Sequence, residues 1–165
     1  MPSCKIGIEY PMTLNVGDQA PAFSLPADNG QTVSLADYSG KKIVLYFYPK
    51  DDTPGCTTQA IDFTAKIKEF EDQDAVIVGM SPDKPAKHDK FKAKHNLAIT
   101  LAADEEKETL EAYGVWVEKS MYGKKYMGVE RSTFLIDENG KINQIWRKVK
   151  VAGHVDTVLE AVKAA

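Results

Sequence analysis

Two kinds of apolar run alternate along this chain. Val44-Leu45-Tyr46-Phe47-Tyr48 and Ala75-Val76-Ile77-Val78-Gly79-Met80 are continuous. Such runs suit strands covered on both faces, as at the centre of an α/β sheet. Between them the period lengthens. From Cys56 to Asp72, Phe63, Ile67 and Phe70 fall on neighbouring helical positions, as do Ile61 and Ala65. Residues 84–95 repeat the helical spacing in lysine-rich form, with Ala86 and Phe91 as apolar anchors. A short strand is expected from Leu97 to Leu101, then a helix from Glu106 to Tyr113 that Gly114 stops. Arg131 to Asp137 alternates as a strand, Glu138-Asn139-Gly140-Lys141 is a hairpin turn, and Lys141 to Lys148 returns antiparallel. A last helix runs from His154 to Ala164. Near the start, Asp28-Asn29-Gly30-Gln31 separates Phe23-Ser24-Leu25 from Thr32-Val33-Ser34-Leu35 as a short hairpin. Residues 117–129 read as a polar, aromatic loop, and residues 1–13 as an irregular lead-in.

This order of elements predicts an α/β protein of thioredoxin-like topology. A mixed central β-sheet is flanked by helices, an N-terminal β-hairpin precedes it, and residues 14–165 form a single domain. A chain of 165 residues can bury one sizeable core. The formal net charge of −3 gives no reason to expect a nucleic-acid partner. No apolar run approaches the roughly 20 residues that a membrane helix needs. The start, Met1-Pro2-Ser3-Cys4-Lys5-Ile6-Gly7, lacks the apolar core of a signal peptide. The two cysteines, Cys4 and Cys56, make no disulfide framework, so a reducing, cytoplasmic setting is expected.

The candidate chemistry sits where the first continuous run ends. Pro49-Lys50-Asp51-Asp52-Thr53-Pro54-Gly55 is a loop of turn residues, and Cys56 stands where a helix can begin. A thiol there meets unpaired backbone N–H groups and the positive end of the helix dipole. Both favour thiolate, the nucleophilic form. The blander alternative is a buried cysteine acting as a small hydrophobe. Thr53, Thr57 and Thr58 surround Cys56 with hydroxyls and Gly55 allows close backbone approach, none of which an inert core cysteine needs.

Pro49-Lys50-Asp51-Asp52-Thr53-Pro54-Gly55-Cys56-Thr57 resembles the signature of peroxiredoxins, in the wording of the bacterioferritin-comigratory, or Q-type, subgroup. Gly17-Asp18-Gln19-Ala20-Pro21-Ala22-Phe23, Gly79-Met80-Ser81-Pro82-Asp83 and Arg131-Ser132-Thr133-Phe134-Leu135-Ile136-Asp137 fit the same family in unbroken order. The resemblance implies a thiol-dependent peroxidase that reduces hydrogen peroxide and organic hydroperoxides through a cysteine sulfenic acid, without cofactor or metal. It matches Cys56 to the peroxidatic cysteine, Thr53 and Pro49 to the loop residues shaping its pocket, and Arg131 to a distant arginine. Taken alone, Thr53 could be a helix cap and Arg131 a surface ion-pair residue.

The subgroup's usual resolving cysteines are missing. Ile61 stands five residues after Cys56, and Lys92 thirty-six residues after it. A one-cysteine cycle is therefore expected, with an external thiol (thioredoxin, glutaredoxin or glutathione) as reductant and a monomer or weak homodimer as the working state. Cys4 is the internal alternative for resolution. A thiol–disulfide oxidoreductase is disfavoured because Thr53 occupies the first position of a Cys-x-x-C motif. A non-enzymatic redox sensor using Cys56 is the competitor from another class. His88, His95 and His154 show no metal spacing and are expected to face solvent, as are the lysines from Lys84 to Lys94. Trp116 and Trp146 are expected to be packing residues, with Trp116 and the Tyr122–Tyr126 segment able to border the site.

Overall fold

The computed structural model describes residues 14–165. The lead-in over residues 1–13, with Cys4, lies outside the described residues. The strands are β1 (Ser24–Pro26), β2 (Thr32–Ser34), β3 (Lys42–Phe47), β4 (Ala75–Ser81), β5 (Thr100–Ala103), β6 (Trp116–Met121), β7 (Lys124–Val129), β8 (Ser132–Ile136) and β9 (Ile142–Trp146). The helices are α1 (Pro54–Ala65), α2 (Ile67–Glu71), α3 (Pro85–His95), α4 (Glu108–Ala112) and α5 (His154–Ala164).

The central sheet has the order β5-β4-β3-β8-β9. Strands β3, β4 and β5 run parallel, while β8 is antiparallel to β3 and β9 to β8. All six residues of β3 are buried, as its unbroken apolar run requires. Successive side chains point to opposite faces. Ile43, Leu45 and Phe47 pack on one side with Val78, Met80, Phe134 and Ile136. Val44, Tyr46 and Tyr48 pack on the other against Phe63 of α1, Phe70 of α2, and Val158 and Leu159 of α5. Each such side chain, fully buried, contributes roughly 1.5–3 kcal/mol. This is the thioredoxin-like mixed sheet that the order of elements predicts, with the β1–β2 hairpin beside it.

Four boundaries differ from the sequence reading. The helix expected from Cys56 to Asp72 starts two residues earlier, because Pro54 at its first position is preset for helical φ. It also breaks at Lys66 (φ −105°, ψ 8°), which separates α1 from α2. The strand expected from Leu97 begins only at Thr100, since Asn96 ends α3 in the left-handed region and Leu97 and Ile99 are buried within the connection. The helix expected from Glu106 is the short α4, entered through left-handed Lys107.

The segment 117–129 is not a loop. It is the second hairpin, β6–β7, turned at Tyr122 (φ 52°) and Gly123 (φ 79°). Two positive φ values in a two-residue turn match the twist of the flanking strands. Met121, Tyr122, Tyr126 and Met127 are all exposed, so the outer half of the hairpin lacks the inside–outside alternation by which a strand is read.

Candidate active site

The sheet register assembles the site. Phe47 at the end of β3 pairs with Ser132 at the start of β8. The chain therefore leaves β3 into the Pro49–Thr53 loop just where Arg131 enters β8. The backbone of Arg131 is held by Val149 N–H donating to its carbonyl at 2.9 Å. Thr53, in extended conformation (φ −96°, ψ 154°), is the N-cap of α1, and Cys56 is the third helical residue. The first backbone bond of α1 runs from Thr57 N–H to Thr53 O at 2.8 Å. The Gly55 and Cys56 N–H groups lie ahead of it, in the turn whose donors have no intrahelical acceptor.

Cys56 is 1% exposed and packs with Tyr46, Ala60 and Phe63. Burial alone would fit the inert alternative. Its charged partner does not: Arg131 Nη2 donates to Cys56 Sγ at 3.3 Å. The guanidinium lies across the start of the helix, where a Cβ on Gly55 would meet Arg131 Nη2 at 3.2 Å. Arg131 Nη1 donates to Gln59 Oε1 at 2.7 Å. Gln59, fully buried one turn after Cys56, thus fixes the arginine's second arm. Sequence reading missed Gln59. Its signal was a polar residue at i+3 from the cysteine, on the face that otherwise carries Ala60 and Phe63.

Thr53 does not cap α1 through its side chain. Its hydroxyl donates to Lys50 O at 2.9 Å, bracing the loop. With that hydrogen committed, its oxygen remains an acceptor for another group's O–H. Pro49 is half-buried at the loop's entry and offers no N–H. Thr58 donates to Pro54 O at 3.1 Å. Of the four residues implied by resemblance, Cys56 and Arg131 are in direct contact, while Thr53 and Pro49 shape the loop beside them.

A cleft beside Arg131 is lined by Val117, Lys119 and Tyr126 of the β6–β7 hairpin together with Lys148 and Val149. Tyr126 thus shares a cleft with Arg131. Trp116 packs against the core with Lys107 Nζ over its ring, and Trp146 packs against the opposite core face.

The expectation that the histidines face solvent is wrong for two of the three. His88 is fully buried and His154 nearly so. His154 Nε2 lies 2.8 Å from Thr133 Oγ1. Burial, with the nearby Arg131 charge adding, pushes its pKa down to about 4, so the ring is neutral near pH 7. His95 bonds the exposed Asp52 carboxylate. The lysines of α3 are also not simply a solvated face: Lys87 pairs with Asp83, Lys94 with Asp52, and Lys92 with buried Asp28 at 2.7 Å. Ile61 is 43% exposed on α1.

A thiol at the start of a helix that follows a buried strand, under a guanidinium brought by the neighbouring strand, defines a thiol-redox protein of the thioredoxin-like class. The comparisons narrow this. Residues 16–145 match the family model described as AhpC/TSA family. The chain is 55% identical over 152 residues to Peroxiredoxin Bcp of Bacillus subtilis (strain 168), covering 92% of this chain and 97% of that one. It is 43% identical to Peroxiredoxin Bcp of Escherichia coli (strain K12), covering 91% and 96%. Among solved structures, Xanthomonas campestris Peroxiredoxin Q superposes with a TM-score of 0.83 at 47% identity, covering 86% of this chain and 90% of the other. The chain belongs to the AhpC/TSA family, in its Bcp/Q-type peroxiredoxin branch, and is a thiol-dependent peroxidase.

Proposed function

We propose that Cys56 is the peroxidatic nucleophile and that Arg131, Thr53 and Pro49 complete its pocket. The observation that carries this is the Arg131 Nη2 contact to Cys56 Sγ at 3.3 Å. The Cys56 thiolate attacks one peroxide oxygen. An S–O bond forms, the O–O bond breaks, and its electron pair leaves on the far oxygen as hydroxide or alkoxide, which takes up a proton. Sulfur is oxidised by two electrons to the sulfenic acid and the peroxide is reduced to water or alcohol. The permanent charge of Arg131 stabilises both the attacking sulfur and the departing oxygen. The Thr53 oxygen accepts the peroxide's O–H, and Pro49 screens the thiol from water.

Hydrogen peroxide and organic hydroperoxides are the proposed substrates. A solved relative, the Xanthomonas campestris bacterioferritin comigratory protein, is 46% identical to this chain and is described by its alkyl peroxide reduction activity and a trapped intermediate/ligand complex. An external thiol (thioredoxin, glutaredoxin or glutathione) then attacks the sulfenic sulfur, releases water and leaves a mixed disulfide that a second thiol reduces. Ile61 and the Lys92–Asp28 ion pair at the two usual resolving positions support this one-cysteine cycle. A monomer or weak homodimer in the cytoplasm is the setting we propose.

Peroxide consumption, with each reductant offered separately, tests the cycle. Cys56→Ser should abolish turnover while the fold survives, and retained turnover would overturn the assignment. Mass spectrometry after one equivalent of peroxide without reductant should show Cys56 sulfenic acid. A quantitative Cys4–Cys56 disulfide would instead make Cys4 the resolving residue.

A further inference from the structure

The loop that delivers Thr53 and Cys56 is tied down by a buried cluster on its far side. Asp51, 2% exposed, makes three bonds to three different elements. Its backbone N–H donates to Asp83 Oδ2 at 2.7 Å, just past β4. Its Oδ1 accepts from Tyr48 Oη at 2.5 Å, at the exit of β3. Its Oδ2 lies 2.6 Å from His88 Nδ1, on α3. The other nitrogen of His88 lies 2.9 Å from the Ala102 carbonyl of β5. A carbonyl oxygen can only accept, so Nε2 carries a proton. Facing the Asp51 carboxylate at that distance, Nδ1 is placed to donate a second N–H hydrogen bond. The fully buried His88 ring thus lies between two acceptors, an environment that favours its doubly protonated form. Burial would push its pKa down, but the Asp51 bond and charge, the Ala102 carbonyl and the Asp83 charge outweigh burial and raise it.

We infer that the His88 imidazolium, clamped between Asp51 and the Ala102 carbonyl, holds the Pro49–Cys56 loop in its reactive shape, making His88 and Asp51 positioning residues for peroxide reduction. Neither group acts on substrate. Both act through the backbone: Asp51 follows the Lys50 carbonyl that braces Thr53 and precedes Cys56 by five residues. A shift of about 1 Å at reacting atoms can cost 10²-fold in rate, so such a brace bears on the chemistry. The donor atoms of Asp51, Asp83 and His88 lie within 4.8 Å of one another, a spacing a cation could use. Both His88 nitrogens are already committed as donors, however, and Asp83 Oδ1 holds Lys87 Nζ at 3.2 Å. That arrangement needs no ion.

The charged and titratable groups facing His88 are Tyr48, Asp51 and Asp83, with Lys87 reaching Asp83 from the same helix. Asp51 and Asp83 favour the imidazolium. Its loss at high pH would release Asp51 from α3.

The inference rests on Cys56 as the nucleophile, and one assay separates the two. Cys56 oxidation by hydrogen peroxide is followed in a single turnover without reductant by quench and mass spectrometry. Alkylation by iodoacetamide reports the same thiol without the pocket's geometry. His88→Gln and Asp51→Asn should each slow peroxide oxidation on the order of 10-fold to 10²-fold, with alkylation changed far less. The double variant should cost little more than the slower single one. If wild-type Cys56 is not oxidised, the nucleophile assignment fails. If folded His88→Gln is oxidised at the wild-type rate, the clamp alone fails. Should His88→Gln not fold, the wild-type pH profile decides. With the ring's protonation followed by NMR in the same protein, Cys56 oxidation should slow as His88 loses its proton, and a rate that does not change as the ring titrates overturns the proposal.

Discussion

The loop from Pro49 to Cys56 has two sides, each with a buried histidine, and the pKa values of the two rings are shifted in opposite directions. On the reactive side His154 meets a hydroxyl and a neighbouring guanidinium, and is held neutral with a pKa near 4. On the anchoring side His88 meets a carboxylate and a carbonyl, which together with the nearby Asp83 charge outweigh burial and raise its pKa. Burial acts in the same direction on both rings. Partners decide the outcome. The difference has a functional sense: a second cation beside Arg131 would be repelled, and a neutral His154 leaves Arg131 as the cation against the sulfur. On the far side cation and carboxylate cancel, so that cluster braces the loop while adding little net field at the thiol.

The largest expected effect comes from removing the charge that separates the two sides. Arg131→Ala takes away the donor to Cys56 Sγ and orphans Gln59 Oε1. The rate of Cys56 oxidation should fall on the order of 10²–10³-fold, as for other preorganised donors. Arg131→Lys should recover only part, because an ammonium cannot hold both partners in one plane. Arg131→Ala also sharpens the comparison by NMR. With the guanidinium gone, His154 should titrate higher while His88 stays where it is. An unchanged rate in Arg131→Ala would remove the arginine from the chemistry.

The reactive side was much more legible in the sequence than the anchoring side. A continuous apolar run, a turn-rich loop and a cysteine at a helix start are local signals, and they located Cys56 and β3. Arg131 came from family resemblance, because its closeness to Cys56 depends on the Phe47–Ser132 register across the sheet. The histidines read as solvent-facing because they show no metal spacing and no cysteine or carboxylate cluster in the sequence completes a site around them. The missed signal was helical spacing. His88 lies three residues before buried Phe91, and His154 four before buried Val158, so each shares a face with an apolar anchor. Asp51 could not be read as buried from any local pattern, since its partners sit just past β3, just past β4 and on α3.

A smaller effect separates the two rings by pH. His154 has a folded-state pKa of about 4 against 6.5 when unfolded. The unfolded chain thus binds the extra proton between those values, and stability falls as pH drops through that window. At about 1.4 kcal/mol per pH unit, the loss from this ring is on the order of 3 kcal/mol. His88 has the opposite sign. Its raised pKa gives stability that is complete below 6.5 and is lost as pH rises through the folded value. Urea unfolding across pH should therefore show an acid limb that His154→Gln flattens and an alkaline limb that His88→Gln flattens. Both limbs unchanged in both variants would break the comparison.

The smallest perturbation tests how closely Arg131 must sit over the helix start. Gly55 has no positive φ that would demand glycine, and its environment is open except toward one group. An added Cβ would meet Arg131 Nη2 at 3.2 Å and Cζ at 3.8 Å. The guanidinium must then retreat by a few tenths of an ångström, since the helix backbone moves less readily than a long side chain. The first effect of Gly55→Ala is on the unfolded chain, which loses conformational freedom, so stability should hold or rise by about half a kcal/mol. The second is on the donor to sulfur, which already stands at 3.3 Å and lengthens. Stability and rate should consequently part ways: an unfolding midpoint no lower than wild type, with Cys56 oxidation slowed a few-fold. The anchoring cluster lies on the other side of the loop and contacts nothing that moves, so the alkaline limb assigned to His88 should be unchanged. A rate equal to wild type would mean that Arg131 tolerates displacement, and that its charge matters more than its position.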